Sequence, residues 1–283
     1  MSTVNVPKGD DDAAAAGPRC GTPGRTMNKS PTTAHHPTTK QSMLITGASS
    51  GIGWATALAA AGAGWNVIAC GRDPVRLAEL AATHPNIKTR AFDLTDLEAC
   101  RSHLNGLNPD VAILNAGHCE YVDMEAFDPE LFHRVFQANF FSAVNTVDAL
   151  LPGLRPGTQL VIVDSLARLL PFTRSEAYGA SKAALFYFAK SLEVDLYPKG
   201  VIVQTVSPGF VRTPLTDRNR FHMPLLMEPE DAAIAILARV RSRERTGFFP
   251  SAFASVIRLL ACLPHSCQAA LCRALASRER GGA

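Results

Sequence analysis

A doubly wound α/β fold, one parallel sheet with helices on both faces, is the architecture this 283-residue sequence predicts. Three observations carry it. Short apolar runs alternate with stretches of helical periodicity from residue 43 to residue 206. The first run feeds into a glycine-rich turn, Thr46-Gly47-Ala48-Ser49-Ser50-Gly51-Ile52-Gly53, and an Ala-rich helix follows it. No linker interrupts the alternation, so it belongs to one domain. Parallel neighbours need crossover connections, and helical crossovers cover both faces of the sheet.

Residues 1–42 stand apart. They are rich in Ala, Pro, Thr, Gly and Asp and hold almost no large apolar side chain between Val6 and Met43. Such a segment cannot bury enough surface to offset its ordering entropy, so disorder is expected. It lacks the apolar core of a secretory signal and the Arg-rich amphipathic character of a transit peptide, and a cytoplasmic location is expected. Across the chain, 47% hydrophobic and 19% charged residues are ordinary for a globular protein. A net charge of +3 without a Lys/Arg stripe excludes a nucleic-acid-binding surface. The seven cysteines form no C-x-x-C pair and no metal-ligand spacing, so no metal site is expected. They read as small buried hydrophobes in a reducing compartment.

The predicted strands are 43–46, 67–70, 87–92, 111–115, 160–164 and 201–206. Between them lie helical patterns at 54–63, 74–83 and 129–151, with another from Glu228 to about Ser242. Residues 43–246 are expected to form one domain, and 247–283 an amphipathic helical extension. In that extension Phe253, Val256, Ile257 and Leu260 share one helical face, and Cys267, Leu271, Ala274 and Leu275 form a second stripe. The pair offers three uses: closing a pocket, making a dimer, or lying on a membrane surface.

Two stretches carry chemistry. In the first turn, glycines let the backbone bend sharply and approach a diphosphate, while the helix N-terminus faces the negative charge. In Tyr178-Gly179-Ala180-Ser181-Lys182, helical spacing puts the phenol and the ammonium on one face. A nearby ammonium favours the phenolate, lowering a pKa that is ordinarily near ~10 toward a usable general acid or base.

These residues resemble the short-chain dehydrogenase/reductase family, whose motifs are T-G-x-x-x-G-x-G and Y-x-x-x-K, over roughly residues 43–214. The resemblance implies a Rossmann fold and an oxidoreductase that transfers hydride between NADP(H) and a carbonyl or secondary alcohol. It assigns Gly47, Ser49, Ser50, Gly51, Ile52 and Gly53 to the cofactor diphosphate side. Asn115-Ala116-Gly117 matches part of the N-N-A-G motif, with Leu114 in place of its first Asn. Asp93 would meet the adenine, while Pro208, Gly209 and Thr213 would cover the nicotinamide. Ser165 would orient the carbonyl oxygen and Tyr178 would donate the proton. Lys182 would bind the nicotinamide ribose and keep Tyr178 acidic, and Asn139 would link the site to water.

After the second strand stand Gly71 and Arg72, where an acidic side chain would grip the ribose of NAD. The guanidinium of Arg72 suits the 2′-phosphate of NADP(H), so NAD(H) is the lesser expectation. Residues 214–229, with Phe221, Met223, Leu225, Leu226 and Met227, suggest an apolar lid and a hydrophobic carbonyl substrate. The family resemblance implies a homo-oligomer. Two other classes stay open: a non-catalytic NADP-binding regulator, and a membrane-peripheral interaction protein on the same fold.

Overall fold

The chain enters the sheet at β1 (Ser42–Thr46), whose residues from Met43 onward are completely or almost completely buried. The computed structural model describes residues 41–217 and 223–281. Apart from Gln41 and Ser42, the segment expected to be disordered lies outside the described residues, as does Phe221 of the expected lid.

β2 (Asn66–Gly71), β3 (Ile87–Ala91), β4 (Val111–Leu114), β5 (Gln159–Val163), β6 (Ile202–Pro208) and β7 (Thr246–Phe249) complete a sheet of order β3-β2-β1-β4-β5-β6-β7. Every neighbouring pair is parallel. The chain runs outward from β1 to β3 and returns beside β1 as β4. That reversal opens a crevice at the carboxyl ends of β1 and β4, where ligands of such sheets bind.

Strand alternation builds two cores. Met43, Ile45, Ile113 and Val161 point to one face, and Leu44, Ala112, Leu160 and Ile162 to the other. The first face is covered by α1 (Gly51–Gly62), α2 (Pro74–Thr83) and α7 (Pro229–Ser242), which contribute Ala57, Leu77, Leu80 and Ile236. The second is covered by α3 (Leu97–Leu104), α5 (Ser142–Leu150) and α6 (Glu176–Leu196) through Leu104, Leu150 and Leu185. Each fully buried Leu or Ile contributes about 1.5–3 kcal/mol relative to exposure.

Local chemistry sets the helix starts. Asp73 accepts from the N–H groups of Val75 and Arg76, both at 3.0 Å, and Pro74 fills the first helical position of α2. Asp128 and Pro129 repeat the device at α4 (Pro129–Phe136). The helix expected over 129–151 is not uniform. A π-helical turn, Gln137–Phe141, joins α4 to α5 and brings Asn139 to complete burial.

Three expectations need correction. β7 falls where the helical extension was expected to begin, because a four-residue edge strand containing Gly247 carries too little apolar pattern to be read. In α8 (Ser251–Ala261) the buried positions are Ala254 and Ile257, with Phe253 and Leu260 packed beside them, while Val256 is 56% exposed. In α9 (His265–Gly281) the buried positions are Gln268 and Cys272, while Cys267 and Ala274 are exposed. Gln268 is buried for a polar reason: its amide donates to the carbonyls of Ala261 and Leu263 at the end of α8, at 3.0 and 2.8 Å. Among the described cysteines, Cys70, Cys100 and Cys272 are buried as expected, whereas Cys262 and Cys267 face solvent. No helix among the described residues is long and apolar enough to cross a membrane.

Candidate active site

The turn between β1 and α1 is built by steric necessity. Gly47 and Gly51 have φ of +67° and +53°, a region that side chains rarely adopt. A β-carbon on Gly47 would stand 2.7 Å from the Ala116 backbone, and one on Gly53 would overlap the Gly47 carbonyl. Ser50 at the N-cap makes no side-chain cap bond, and the first turn of α1 holds no acidic residue. The N–H groups and positive dipole end of α1 thus face the crevice, which fits a diphosphate.

Asn115 locks this turn to β4. Its side-chain amide donates to the carbonyls of Thr46 and Gly47, at 3.2 and 3.4 Å, and its backbone N–H donates to Thr46 Oγ1 at 3.0 Å. At the end of β2, a β-carbon on Gly71 would lie 3.2 Å from Ser49 Oγ, so a side chain there would press on that hydroxyl of the turn. Arg72 beside it is exposed and lines the cleft.

On the other side, α6 presents Tyr178 and Lys182. Lys182 is 4% exposed, and its ammonium donates to the Val163 carbonyl at 3.0 Å and lies 5.9 Å from the centre of the Tyr178 ring. Ser165 caps a short 3-10 turn, its hydroxyl accepting from Ala167 N–H at 3.1 Å. Asn139 Oδ1 accepts from His118 N–H at 2.5 Å, and Asn139 Nδ2 donates to Ser181 Oγ at 2.8 Å. The π turn is therefore tied both to the loop after β4 and to α6.

The electrostatics differ from the sequence expectation in one respect. Burial drives the Tyr178 pKa upward, with Cys119, Tyr121 and Asp164 adding to it and a hydrogen bond with Ser165 opposing. Burial likewise lowers Lys182 to about 8, against the pull of Asp164 and Cys119. The ammonium is turned to the Val163 carbonyl, and Tyr178 is held as the neutral phenol instead of being shifted toward phenolate.

Of the catalytic and cofactor-binding residues expected from sequence, all but Gly53 and Asn139 line one cleft of about 350 Å³; those two stand behind it as supports. Asp93 lies two residues beyond β3 and accepts from Thr95, while Asp96 caps α3. Ser165 follows β5 by two residues. Pro208, Gly209 and Thr213 form the opposite rim. Gly209 N–H donates to the Phe249 carbonyl at 2.7 Å, and the Phe253 ring comes within 3.0 Å of where a β-carbon on Gly209 would stand. Met227 does not hang over the cleft: it exchanges backbone bonds with Phe210 and Arg212 and packs on the core. Leu225 is 58% exposed.

Sequence reading passed over Asp164, Arg168 and Cys119. Asp164 and Arg168 form an ion pair at 2.6 Å whose side chains are 0% and 8% exposed. An acid and a base four residues apart beside Ser165 was the available signal.

Comparison with known proteins places these features in a family. Residues 41–223 match the short chain dehydrogenase family. An uncharacterized oxidoreductase of Myxococcus xanthus is 34% identical over 233 residues, covering 78% of this chain and 92% of that protein. A fatty acyl-CoA reductase of Acinetobacter baylyi is 32% identical over 233 residues, covering 77% and 79%. The solved structure of a short-chain dehydrogenase from Sphingobium yanoikuyae in complex with NADPH superposes with a TM-score of 0.68 at 27% identity, covering 79% of this chain and 96% of that one. On its sheet order, its glycine turn and this match, the chain belongs to the short chain dehydrogenase family, oxidoreductases that transfer hydride between a nicotinamide dinucleotide and a carbonyl or alcohol.

Proposed function

We propose that this protein is an NADPH-dependent reductase of a hydrophobic aldehyde, ketone or acyl compound. The observation that carries the reading is the meeting of Ser165, Tyr178 and Lys182 at one cleft, with Tyr178 held as a neutral phenol. A protonated phenol is a proton donor, the role that carbonyl reduction asks of it. NADPH supplies the hydride when bound. Ser165 hydrogen-bonds the carbonyl oxygen and polarises it, and Tyr178 gives its proton to that oxygen. Lys182, charged below about pH 8, stabilises the phenolate left behind. Asn139 holds the π turn and α6 in register while this happens.

Gly47, Gly51 and the start of α1 would hold the diphosphate, and Arg72 would meet the 2′-phosphate. The Sphingobium relative was solved with NADPH, in keeping with that preference. A hydrophobic substrate is supported by the Leu166, Leu170 and Ile257 cluster beside Ser165, and by the fatty acyl-CoA reductase relative. The reading includes a cytoplasmic homo-oligomer assembled through α6, on which Tyr187 and Val194 are 75% and 71% exposed.

One surface favours a second contact. No acidic residue occurs between Glu244 and Glu279, and Val256, Leu259 and Leu263 of that stretch are exposed at helical spacing beside Arg258. Peripheral attachment to an anionic lipid surface fits this chemistry. Co-sedimentation with anionic vesicles, with and without residues 251–281, tests it: equal sedimentation of both forms removes the reading.

The principal test mixes the protein with NADPH or NADH and aldehydes and ketones of increasing chain length, with Tyr178→Phe as the control. NADPH oxidation that rises with chain length and disappears in the variant is expected. Tight NADPH binding without turnover on any compound would instead indicate a regulator.

A further inference from the structure

Ser165 and Tyr178 must face one carbonyl oxygen, yet twelve residues of chain lie between them. That connection holds one 3-10 turn, Leu166–Arg168, and is otherwise irregular until α6 begins at Glu176. Tyr178 is the third residue of α6, in its first turn. The first turn of a helix carries unpaired N–H groups and frays unless something holds it. Ser175, at the N-cap, makes no side-chain cap bond. The turn that carries the phenol is therefore held from elsewhere.

Arg174 supplies that hold. Its backbone has φ of +60°, a left-handed conformation that costs free energy for a residue with a side chain. Its carbonyl accepts from the Val122 N–H at 3.0 Å. Its Nε donates back to the Val122 carbonyl at 3.3 Å, and its guanidinium lies 5.8 Å from the centre of the Tyr121 ring. The loop after β4 is thus clasped to the residue just ahead of the α6 cap through both backbone groups of Val122. Val122 is 1% exposed and packs in one cluster with Leu131 and Val135 of α4 and with Ala177. Ala177 is fully buried and directly precedes Tyr178. One turn later α6 is tied again, through Ser181 to Asn139. A strained backbone persists only where its surroundings over-determine it, and such strain gathers at functional sites.

We propose that Arg174 is a positioning residue for Tyr178. By clasping Val122 it holds the first turn of α6 in one place, and so fixes the phenol relative to Ser165 and the bound carbonyl. Arg174 does not line the cofactor cleft, and its effect passes through Val122 and Ala177. The inference rests on the reductase chemistry above, in which Tyr178 gives its proton to an oxygen held by Ser165. Misplacing a reacting group by about 1 Å costs up to about 100-fold in rate, so the clasp is readable in kcat.

Arg174→Gly separates position from stability. Glycine accepts the positive φ without strain and keeps the carbonyl that serves Val122, but it removes the guanidinium. Hydrogen exchange followed by mass spectrometry, on the protein without substrate, reads the clasp directly. Exchange over residues 119–123 and 176–179 should speed up about tenfold or more, with the rest of the sheet unchanged. With an aldehyde substrate, kcat should fall about 10- to 100-fold, while KM for NADPH and the urea midpoint stay close to wild type. Arg174→Lys, which keeps a donor and a cation on a long stem, should recover most of the rate. Unchanged exchange in Arg174→Gly overturns the proposal, and so does faster exchange with a wild-type kcat. A fall in kcat matched by an equal rise in KM for NADPH and a lower urea midpoint also overturns it, since Arg174 would then be only a structural support. If the wild-type protein itself turns over none of the aldehydes, the reductase reading fails, and the exchange comparison still decides whether Arg174 holds the turn.

Discussion

Asn139 and Ser181 are 42 residues apart in sequence and joined by a 2.8 Å hydrogen bond between wholly buried side chains. Ser181 passes the link on, its hydroxyl donating to the Tyr178 carbonyl at 2.8 Å. The π turn and the helix that carries Tyr178 and Lys182 are thus one mechanical unit. Asn139→Ala leaves His118 N–H without its acceptor and removes the donor to Ser181 Oγ, and it should lower stability by about 1–3 kcal/mol. Urea unfolding checks this, and wild-type stability in the variant would refute the linkage. The same variant should also reduce kcat more than it raises KM for NADPH.

The pH dependence of reduction follows from Lys182. Its folded pKa is about 8, below the ordinary 10.5, so the ammonium is present below pH 8 and lost above it. The kcat/KM for reduction should be level up to about pH 8 and fall beyond. Stability moves oppositely. Between about 8 and 10.5 the unfolded chain binds the proton that the folded chain has released, so Lys182 destabilises the fold at low pH and ceases to do so as pH rises. At pH 7, Lys182→Met should therefore unfold at higher urea than wild type, by an amount on the order of 1–3 kcal/mol that vanishes by pH 10.5. Equal unfolding midpoints at pH 7 would count against a buried, charged lysine.

Arg72 sets cofactor choice if its guanidinium meets a phosphate. Arg72→Ala should weaken NADPH binding about 10- to 100-fold, the size of a charge-assisted contact, and leave NADH unchanged. Fluorescence titration with both cofactors decides it. Equal losses for the two would place Arg72 outside the recognition.

At Gly53 the constraint is steric. A methyl there would overlap the Gly47 carbonyl and stand 2.7 Å from Asn115 Nδ2, so Gly53→Ala must open the turn. Dinucleotide binding should be lost while circular dichroism still reports a folded sheet. Retained affinity would mean that the turn deforms without cost.

Asp110 fastens the start of β1. Burial would raise its pKa, but the Ser42 N–H and hydroxyl and the Arg155 guanidinium lower it, at 2.7, 3.1 and 2.7 Å. The stabilisation is present above the unfolded pKa of about 4 and lost as pH falls through the lower folded value. Asp110→Asn should cost about 1–2 kcal/mol at pH 7 and progressively less toward pH 3. A difference that persists at pH 3 would point to packing and not to charge.

The fold was legible where apolar periodicity is strong. The completely buried runs of β1, β4 and β5 allow one reading only, and Asp73-Pro74 and Asp128-Pro129 announce their helices. The glycine turn and Tyr178–Lys182 were legible because both are local, eight and five residues long. β7 was not, being short, at the sheet edge and interrupted by Gly247. Gln268 was not, because its burial answers carbonyls at the end of another helix. Cys119 escaped because its meaning lies in the loop after β4 coming beside Lys182, and no spacing within the chain encodes that, whereas Asp164 and Arg168 stood four apart beside Ser165 and could have been read.

Phe253 stands 3.0 Å from the place a Gly209 side chain would take, and Phe249 holds the Gly209 N–H. The turn 208–213 on the cofactor rim is thus closed by residues made after the predicted catalytic ones. A nascent chain complete to α7 carries Ser165, Tyr178 and Lys182 but lacks the strand and ring that seat this turn. Such an intermediate exposes the edge of β6 and the Leu166 and Leu170 side chains that the last helices cover. The catalytic cleft is therefore complete only once β7 and α8 are in place, and a protease cut just after β7 would act there although every predicted catalytic residue lies upstream.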